Sequence, residues 1–222
     1  MSIRIETFAV GPMDNNLYLL IDEANRTVVV IDPSLESDPA LERARILREQ
    51  GYTLGGIWIT HGHFDHVHNN ARWKREFGAP IGAHPADTFF LEFLREQSIW
   101  FGMPVPEVVP ADFVIAPDAP PSLGNISPQI LHLPGHSPGS VGFYFPELRT
   151  IISGDVLFAG STGRTDLPEA SAAQLADSVR RLYLLPAETR VLPGHGPATT
   201  IGREKVANAV AAELMAQHPA KH

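Results

Sequence analysis

The sequence predicts an α/β fold in which two β-sheets pack together with helices outside. Three observations predict it. Short β-branched or aromatic runs alternate with stretches of helical period in both halves of the chain. Strands repeatedly run into Gly- or Pro-flanked polar loops, at 60–66, 134–140, 154–155 and 193–197. The 222 residues, 44% hydrophobic and 19% charged, suit a globular chain with a sizeable core, read as one domain over 1–222.

Strands are expected over 3–10, 17–21 and 27–31, separated by the turn-rich segments 11–16 and 22–25. A helix over 39–50 follows, with Leu41, Ala44, Ile46 and Leu47 as its apolar stripe and Gly51 as its stop. A short strand over 57–60 delivers a His-rich loop at its C-terminal end, where layered α/β folds gather ligands. Helices over 70–77 and 85–97 flank a strand around Ile81, the second with Phe89, Phe90, Phe93 and Leu94 as its apolar face. Residues 102–128 carry seven prolines and read as an irregular surface connection bordering the active site. Strands over 129–133, 141–145, 150–153 and 190–192 and helices over 171–185 and 202–217 complete the chain.

A net charge of −8 argues against nucleic acid or an anionic membrane as partner. No stretch approaches the roughly 18 apolar residues of a membrane span, and the first residues show no secretory signal, so the expected location is cytoplasmic. The absence of cysteine removes disulfides and thiolate chemistry. No GxSxG elbow is present, so a covalent acyl-enzyme route is not indicated.

The run Thr60-His61-Gly62-His63-Phe64-Asp65-His66 packs three imidazoles and a carboxylate into six consecutive residues, the ligand types that zinc, iron and manganese accept. At this composition the pattern arises by chance about once in a thousand sequences. His136, Asp155 and His195 lie in loops of the same character, with glycines that let backbone approach closely. Five His and two Asp suffice for two ions: His61, His63 and His136 at one, Asp65, His66 and His195 at the other, Asp155 between them. Four loops with seven ligands fit a two-metal hydrolytic centre better than a closed structural site. Asp32, ending a strand before Pro33, reads either as a partner for a ligand His or as a turn residue.

At these residues, and at Leu133-Pro134-Gly135-His136, Ser153-Gly154-Asp155 and Pro193-Gly194-His195-Gly196, the chain resembles the metallo-β-lactamase superfamily over nearly its whole length. Asp155 and the run from Leu157 to Asp166 make it most similar to the glyoxalase II branch, the hydroxyacylglutathione hydrolases, in their short form, since 27 residues follow His195. The resemblance implies a four-layer αββα sandwich and two divalent ions, zinc first, with iron or manganese also accepted. It implies hydrolysis of a small-molecule thioester such as S-lactoylglutathione, to D-lactate and glutathione, by a metal-bridging hydroxide. Arg164 falls where larger members hold a glutathione carboxylate; pairing with Asp166 is the competing reading. His68 replaces a usual small residue and is expected at the surface, and Ile99-Trp100-Phe101 reads as core before pocket lip. The alternative activity is a persulfide dioxygenase with one iron on His61, His136 and Asp155. Oligomeric state is not readable.

Overall fold

In the computed structural model, which describes residues 3–220, the chain opens as an antiparallel meander of β1 (Ile3–Val10), β2 (Asn15–Asp22) and β3 (Thr27–Ile31). Met1 and Ser2, part of the stretch read for a leader, lie outside the described residues. Helix α1 (Asp38–Glu49) then carries the chain over the sheet to β4 (Thr53–Trp58), which pairs parallel with β3. The short helix α2 (Phe64–Val67) and α3 (Asn70–Phe77) lead to β5 (Ile81–Ala83), followed by α4 (Thr88–Glu92), α5 (Leu94–Trp100) and β6 (Phe113–Val114). The first sheet therefore runs β1-β2-β3-β4-β5-β6, parallel from β3 onward.

The second sheet is built from β7 (Gln129–His132), β8 (Val141–Phe145) and β9 (Thr150–Gly154), in antiparallel order. After the small ribbon β10 (Leu157–Phe158) and β11 (Ser161–Thr162), helix α6 (Ala172–Leu182) crosses to β12 (Arg190–Pro193), parallel to β9. β13 (Thr199–Thr200) forms the edge, and α7 (Ile201–Ala207) and α8 (Ala209–Gln217) close the chain.

Strand alternation explains the layering. Leu17, Leu19 and Ile21 of β2 face Leu41, Ala44 and Leu47 of α1 and Trp73 of α3, whereas Tyr18 and Leu20 face the other sheet. A strand covered on both faces reads as one apolar run, and β2 is buried from end to end. Between the sheets, Trp58 stacks on Phe143 at 5.7 Å between ring centroids, a contact of about 0.5–1.5 kcal/mol beyond its buried area. On the far side, Leu175, Val179 and Leu182 of α6 and Ala211 of α8 cover Ile151 and Val191. The result is the four-layer αββα sandwich. Among the described residues no helix is long and apolar enough to cross a membrane.

The differences from the sequence expectations have physical causes. The strand expected over 57–60 is Thr53–Trp58, hidden because it contains Gly55 and Gly56. A Cβ on Gly55 would fall 2.7 Å from the Leu123 side chain and one on Gly56 2.7 Å from the Trp58 indole, so close approach displaces the β-branched residues that mark strands. The helix expected over 85–97 is a 3-10 turn at Pro85–Asp87 followed by α4 and α5, broken at Phe93. That break leaves Phe89 and Phe93 exposed while Phe90 and Leu94 are buried. The last helix breaks at Asn208, whose side chain accepts from Ala211 N to cap α8 and donates to the Ser161 carbonyl. Residues 102–128 supply none of the lining of the cavity that contains His63, Asp65, His136, Asp155 and His195; they place Ile115 and Ile126 in the inter-sheet core instead.

Candidate metal centre

The centre lies where the two sheets present the carboxyl ends of β4, β9 and β12. β4 ends at Trp58 and two residues later the loop carrying His61 and His63 begins; Val141 N donates to the Thr60 carbonyl at 2.8 Å, joining this loop to the second sheet. Asp155 follows β9, and His195 follows β12. A bulge shifts the pairing of these two strands at Leu192/Pro193, which re-aims the chain just before His195. Gly194 N then donates to the Gly154 carbonyl, and Asn16 N to the Gly194 carbonyl.

The structure brings all seven predicted side chains together. One ligand atom from each of His61, His63 and His136 lies within 4.8 Å of the others, and the same holds for Asp65, His66 and His195. A third such group, His61, His66 and Asp155, links the two. The Asp155 carboxylate stands 3.3 Å from His195 Nε2, 3.4 Å from His66 Nε2 and 3.5 Å from His136 Nε2.

Other groups set the rings. Nδ1–H of His66 donates to Asp32 at 3.0 Å, that of His136 to the Arg164 carbonyl at 2.9 Å and that of His195 to the Met13 carbonyl at 2.7 Å. Each bond fixes the tautomer that leaves Nε2 facing the cluster. Asp32 is thus a partner of a cluster histidine, and it also accepts from Thr60 N and Oγ1.

Burial, reinforced by the neighbouring His66, drives the His61 pKa well down; burial and His136 push His63 down to about 3. Both rings are neutral, the form in which nitrogen can ligate. Burial would raise Asp65 and Asp155, but the charge of His66 and hydrogen bonds from His195 hold both carboxyls well below the usual range. Burial would also lower His66 and His195; the same carboxylates win, His195 reaching about 10.

A divalent cation fits these donors. His61 Nε2 and Asp155 Oδ1 are buried with no hydrogen-bond partner, which native interiors rarely tolerate without an ion or water. A Cβ on Gly194 would meet Asp155 Oδ1 at 2.0 Å, so only glycine leaves that carboxylate its place.

Three contributors were not visible in the sequence. Asn15 Nδ2 donates to Asp65 at 2.9 Å, the Tyr18 hydroxyl to the Pro193 carbonyl at 2.6 Å, and the buried Asp87 accepts from Gly62 N and Ser137 Oγ. Asn15 and Asn16 sat in a segment read as a turn, and Asp87 in one read as helix.

Of the remaining expectations, Arg164 lines the cavity above the cluster but spends its guanidinium on Asp166, through bonds of 2.6 and 2.7 Å. His68 is half-buried and its Nε2–H donates to the Pro104 carbonyl, so it braces the proline-rich segment instead of facing water. Ile99 and Trp100 are exposed and not core; Trp100 and Phe101 line the cavity.

Residues 10–195 match the family model described as "Metallo-beta-lactamase superfamily". The chain belongs to that superfamily. A relative in Haemophilus influenzae named hydroxyacylglutathione hydrolase GloC is 35% identical over 93% of this chain and 97% of its own. Among solved structures, a protein titled BLEG-1 B3 metallo-beta-lactamase superposes with a TM-score of 0.84 at 32% identity, over 93% of this chain and 98% of that one. A second, TTHA1623 in a di-iron-bound form, gives 0.80 at 38% identity over 92% and 98%. Members of this superfamily are generally metal-dependent hydrolases.

Proposed function

We propose that the chain is a metal-dependent thioester hydrolase, with His61, His63 and His136 holding one divalent ion, Asp65, His66 and His195 a second, and Asp155 shared. The observation that carries the reading is the position of Asp155, whose carboxylate lies within 3.5 Å of imidazole nitrogens from both groups. The chemistry such a pair of ions supplies when bound is a water acidic enough to ionise near neutral pH and a polarised carbonyl. In the reaction water adds to the thioester carbonyl carbon and the carbon–sulfur bond breaks, giving a carboxylate, a thiol and one proton to solvent.

The chain's own residues fit that division of labour. No cysteine exists, and the buried Ser137 hydroxyl is committed to Asp87, so no side chain in the cluster is set up as a nucleophile. Outside the cluster, the ionisable group lining the cavity is Arg164, already paired. A substrate whose leaving group needs no general acid suits such a site, and a thiolate of conjugate-acid pKa near ~8.5 is one. The similarity to a protein named hydroxyacylglutathione hydrolase supports S-lactoylglutathione as the first substrate to try. The metal-replete protein should cleave at least one of a panel of glutathione and coenzyme A thioesters, read as free thiol; an inert panel sinks the assignment.

The dioxygenase reading keeps one observation in its favour, the likeness to ETHE1 from Myxococcus xanthus, a persulfide dioxygenase, with a TM-score of 0.75 at 28% identity over 96% of this chain and 85% of that one. Elemental analysis of protein purified without added metal separates the two. Two ions per chain support hydrolysis; a single iron, with oxygen uptake on glutathione persulfide, supports oxidation on His61, His136 and Asp155.

A further inference from the structure

We propose that the aromatic wall of the cavity binds a hydrocarbon arm of the thioester, so that apolar bulk beside the scissile bond selects the substrate; this rests on the thioesterase reading above. The cavity of about 280 Å³ sits at the small end of ligand pockets, which run from about 300 Å³ upward, so it takes one arm of a substrate and not a whole tripeptide conjugate. Beyond the cluster, its walls include Met13, Phe64, Phe90, Trp100, Phe101 and Phe158. These rings reach the centre itself: Phe90 meets His63 edge-on at 4.7 Å, Phe158 meets His195 edge-on at 6.0 Å, and Phe101 stacks on Phe64 at 5.2 Å. An arm on either side of the carbonyl would touch hydrocarbon at once.

Besides the Ser161 and Thr162 hydroxyls, two polar side chains stand in this wall, and both already hold partners. Gln97 accepts from Phe64 N and donates to the Phe90 carbonyl, and the Arg164 guanidinium is held by Asp166. A charged tail entering here would lose water against the rings and meet a guanidinium shared with Asp166. Trp100, by contrast, stands 64% exposed at the mouth while Trp58 and Trp73 are buried. Large apolar surface rimming a cavity marks a binding site.

The hydrocarbon arm can be the acyl or the thiol part, and two substrate series distinguish them. In one, glutathione is held constant while the acyl group runs through acetyl, lactoyl, hexanoyl and phenylacetyl. In the other, the acetyl group is constant while the thiol runs through glutathione, N-acetylcysteamine and benzyl mercaptan. The expected result is a rise in kcat/KM of about 10–200-fold toward the apolar end of one series, the range a hydrophobic pocket provides. In Trp100→Ala the ratio between hexanoyl or benzyl and acetyl substrates should collapse toward one. A non-hydrolysable thioether bearing the preferred arm should also shift Trp100 fluorescence to the blue in the wild type and leave the Trp100→Phe spectrum unchanged. Cleavage with a flat series, or with lactoyl preferred and the ratio unmoved in Trp100→Ala, overturns the proposal and leaves the thioesterase reading standing. If no thioester is cleaved, that reading falls, and the thioether titration alone decides the wall: a blue shift supports it and a silent one overturns it.

Discussion

The Asp87 carboxylate accepts the Ser137 hydroxyl at 2.7 Å, and through it the loop of His136 is tied to the loop of His61 and His63. The same carboxylate accepts Gly62 N between those two histidines, and Gly139 N beyond His136. Burial raises its pKa despite these donors, so the group is poised against its environment and held by geometry.

Replacing it by alanine strands two backbone donors in the interior and leaves the Ser137 hydroxyl with Ser140 alone. Asp87→Ala should destabilise the metal-free protein by about 2–4 kcal/mol, read as a lower urea midpoint at constant slope. It should also weaken metal binding about 10–100-fold, as loss of an outer hydrogen-bond partner does in metal sites. A variant with wild-type metal affinity would show that the two loops hold their positions without the tie.

Asp32 reaches both groups, His66 directly and His61 through Thr60, whose Oγ1 stands 3.0 Å from His61 Nδ1. Its carboxylate takes His66 Nδ1–H and both donors of Thr60, and its backbone is left-handed at φ +52°, a conformation that aspartate tolerates better than most residues. In Asp32→Ala the His66 ring loses its anchor outright, whereas His61 keeps the Thr60 hydroxyl and His136 keeps the Arg164 carbonyl. Competition with a chelator should then show one ion released about 10–100-fold more easily and the other loosened by a smaller factor. Equal loss of both ions would mean that the groups do not load independently.

How much of this was legible in the sequence follows from what each signal depends on. Metal-type side chains at fixed local spacing, as in His61 to His66, survive any tertiary arrangement, and glycines beside His136, Asp155 and His195 mark strand-end loops. The two-sheet architecture was legible because β2, β3, β8 and β9 are apolar runs with turns between them. Asp87 and Asn15 were not, because their roles exist only once β5 and β2 are folded beside the His loop. Gly55 and Gly56 concealed the first part of β4, since the reason for Gly55 is a leucine 68 residues away at Leu123 and that for Gly56 is the folded position of the Trp58 indole. The exposed Trp100 was taken for core because hydrophobicity reports burial on average and cannot tell a core ring from a rim.

Acid stability should report Asp22. Burial alone would raise this carboxyl, but donors from the Asn25 and Asn125 side chains and backbones outweigh it and bring the pKa to about 2. A pKa lower in the folded state than in the unfolded one stabilises the fold above the unfolded value near ~3.9 and loses that stabilisation as pH falls toward 2. At neutral pH the contribution is about 2–3 kcal/mol. Asp22→Asn should therefore lower Tm at pH 7 and flatten the decline in Tm between pH 4 and pH 2. Parallel Tm profiles for the two proteins across that window would remove Asp22 as the source.

Gly194 tests the centre without removing a single donor. Its N–H is held by the Gly154 carbonyl at 2.9 Å and its carbonyl by Asn16 N at 2.7 Å, so the backbone is pinned from both sheets. A Cβ there would fall 2.0 Å from Asp155 Oδ1 and 2.8 Å from His66 Cε1, and the strain must be relieved by moving Asp155. Overpacking of this kind costs about 1–3 kcal/mol, which leaves the chain folded by far-UV circular dichroism. Gly194→Ala should nevertheless bind fewer ions per chain and lose thioester cleavage, because the displaced carboxylate is the one that both histidine groups approach. An alanine variant that still takes up two ions at wild-type affinity would show that Asp155 is not shared between them, and the pairing of the seven side chains would have to be redrawn.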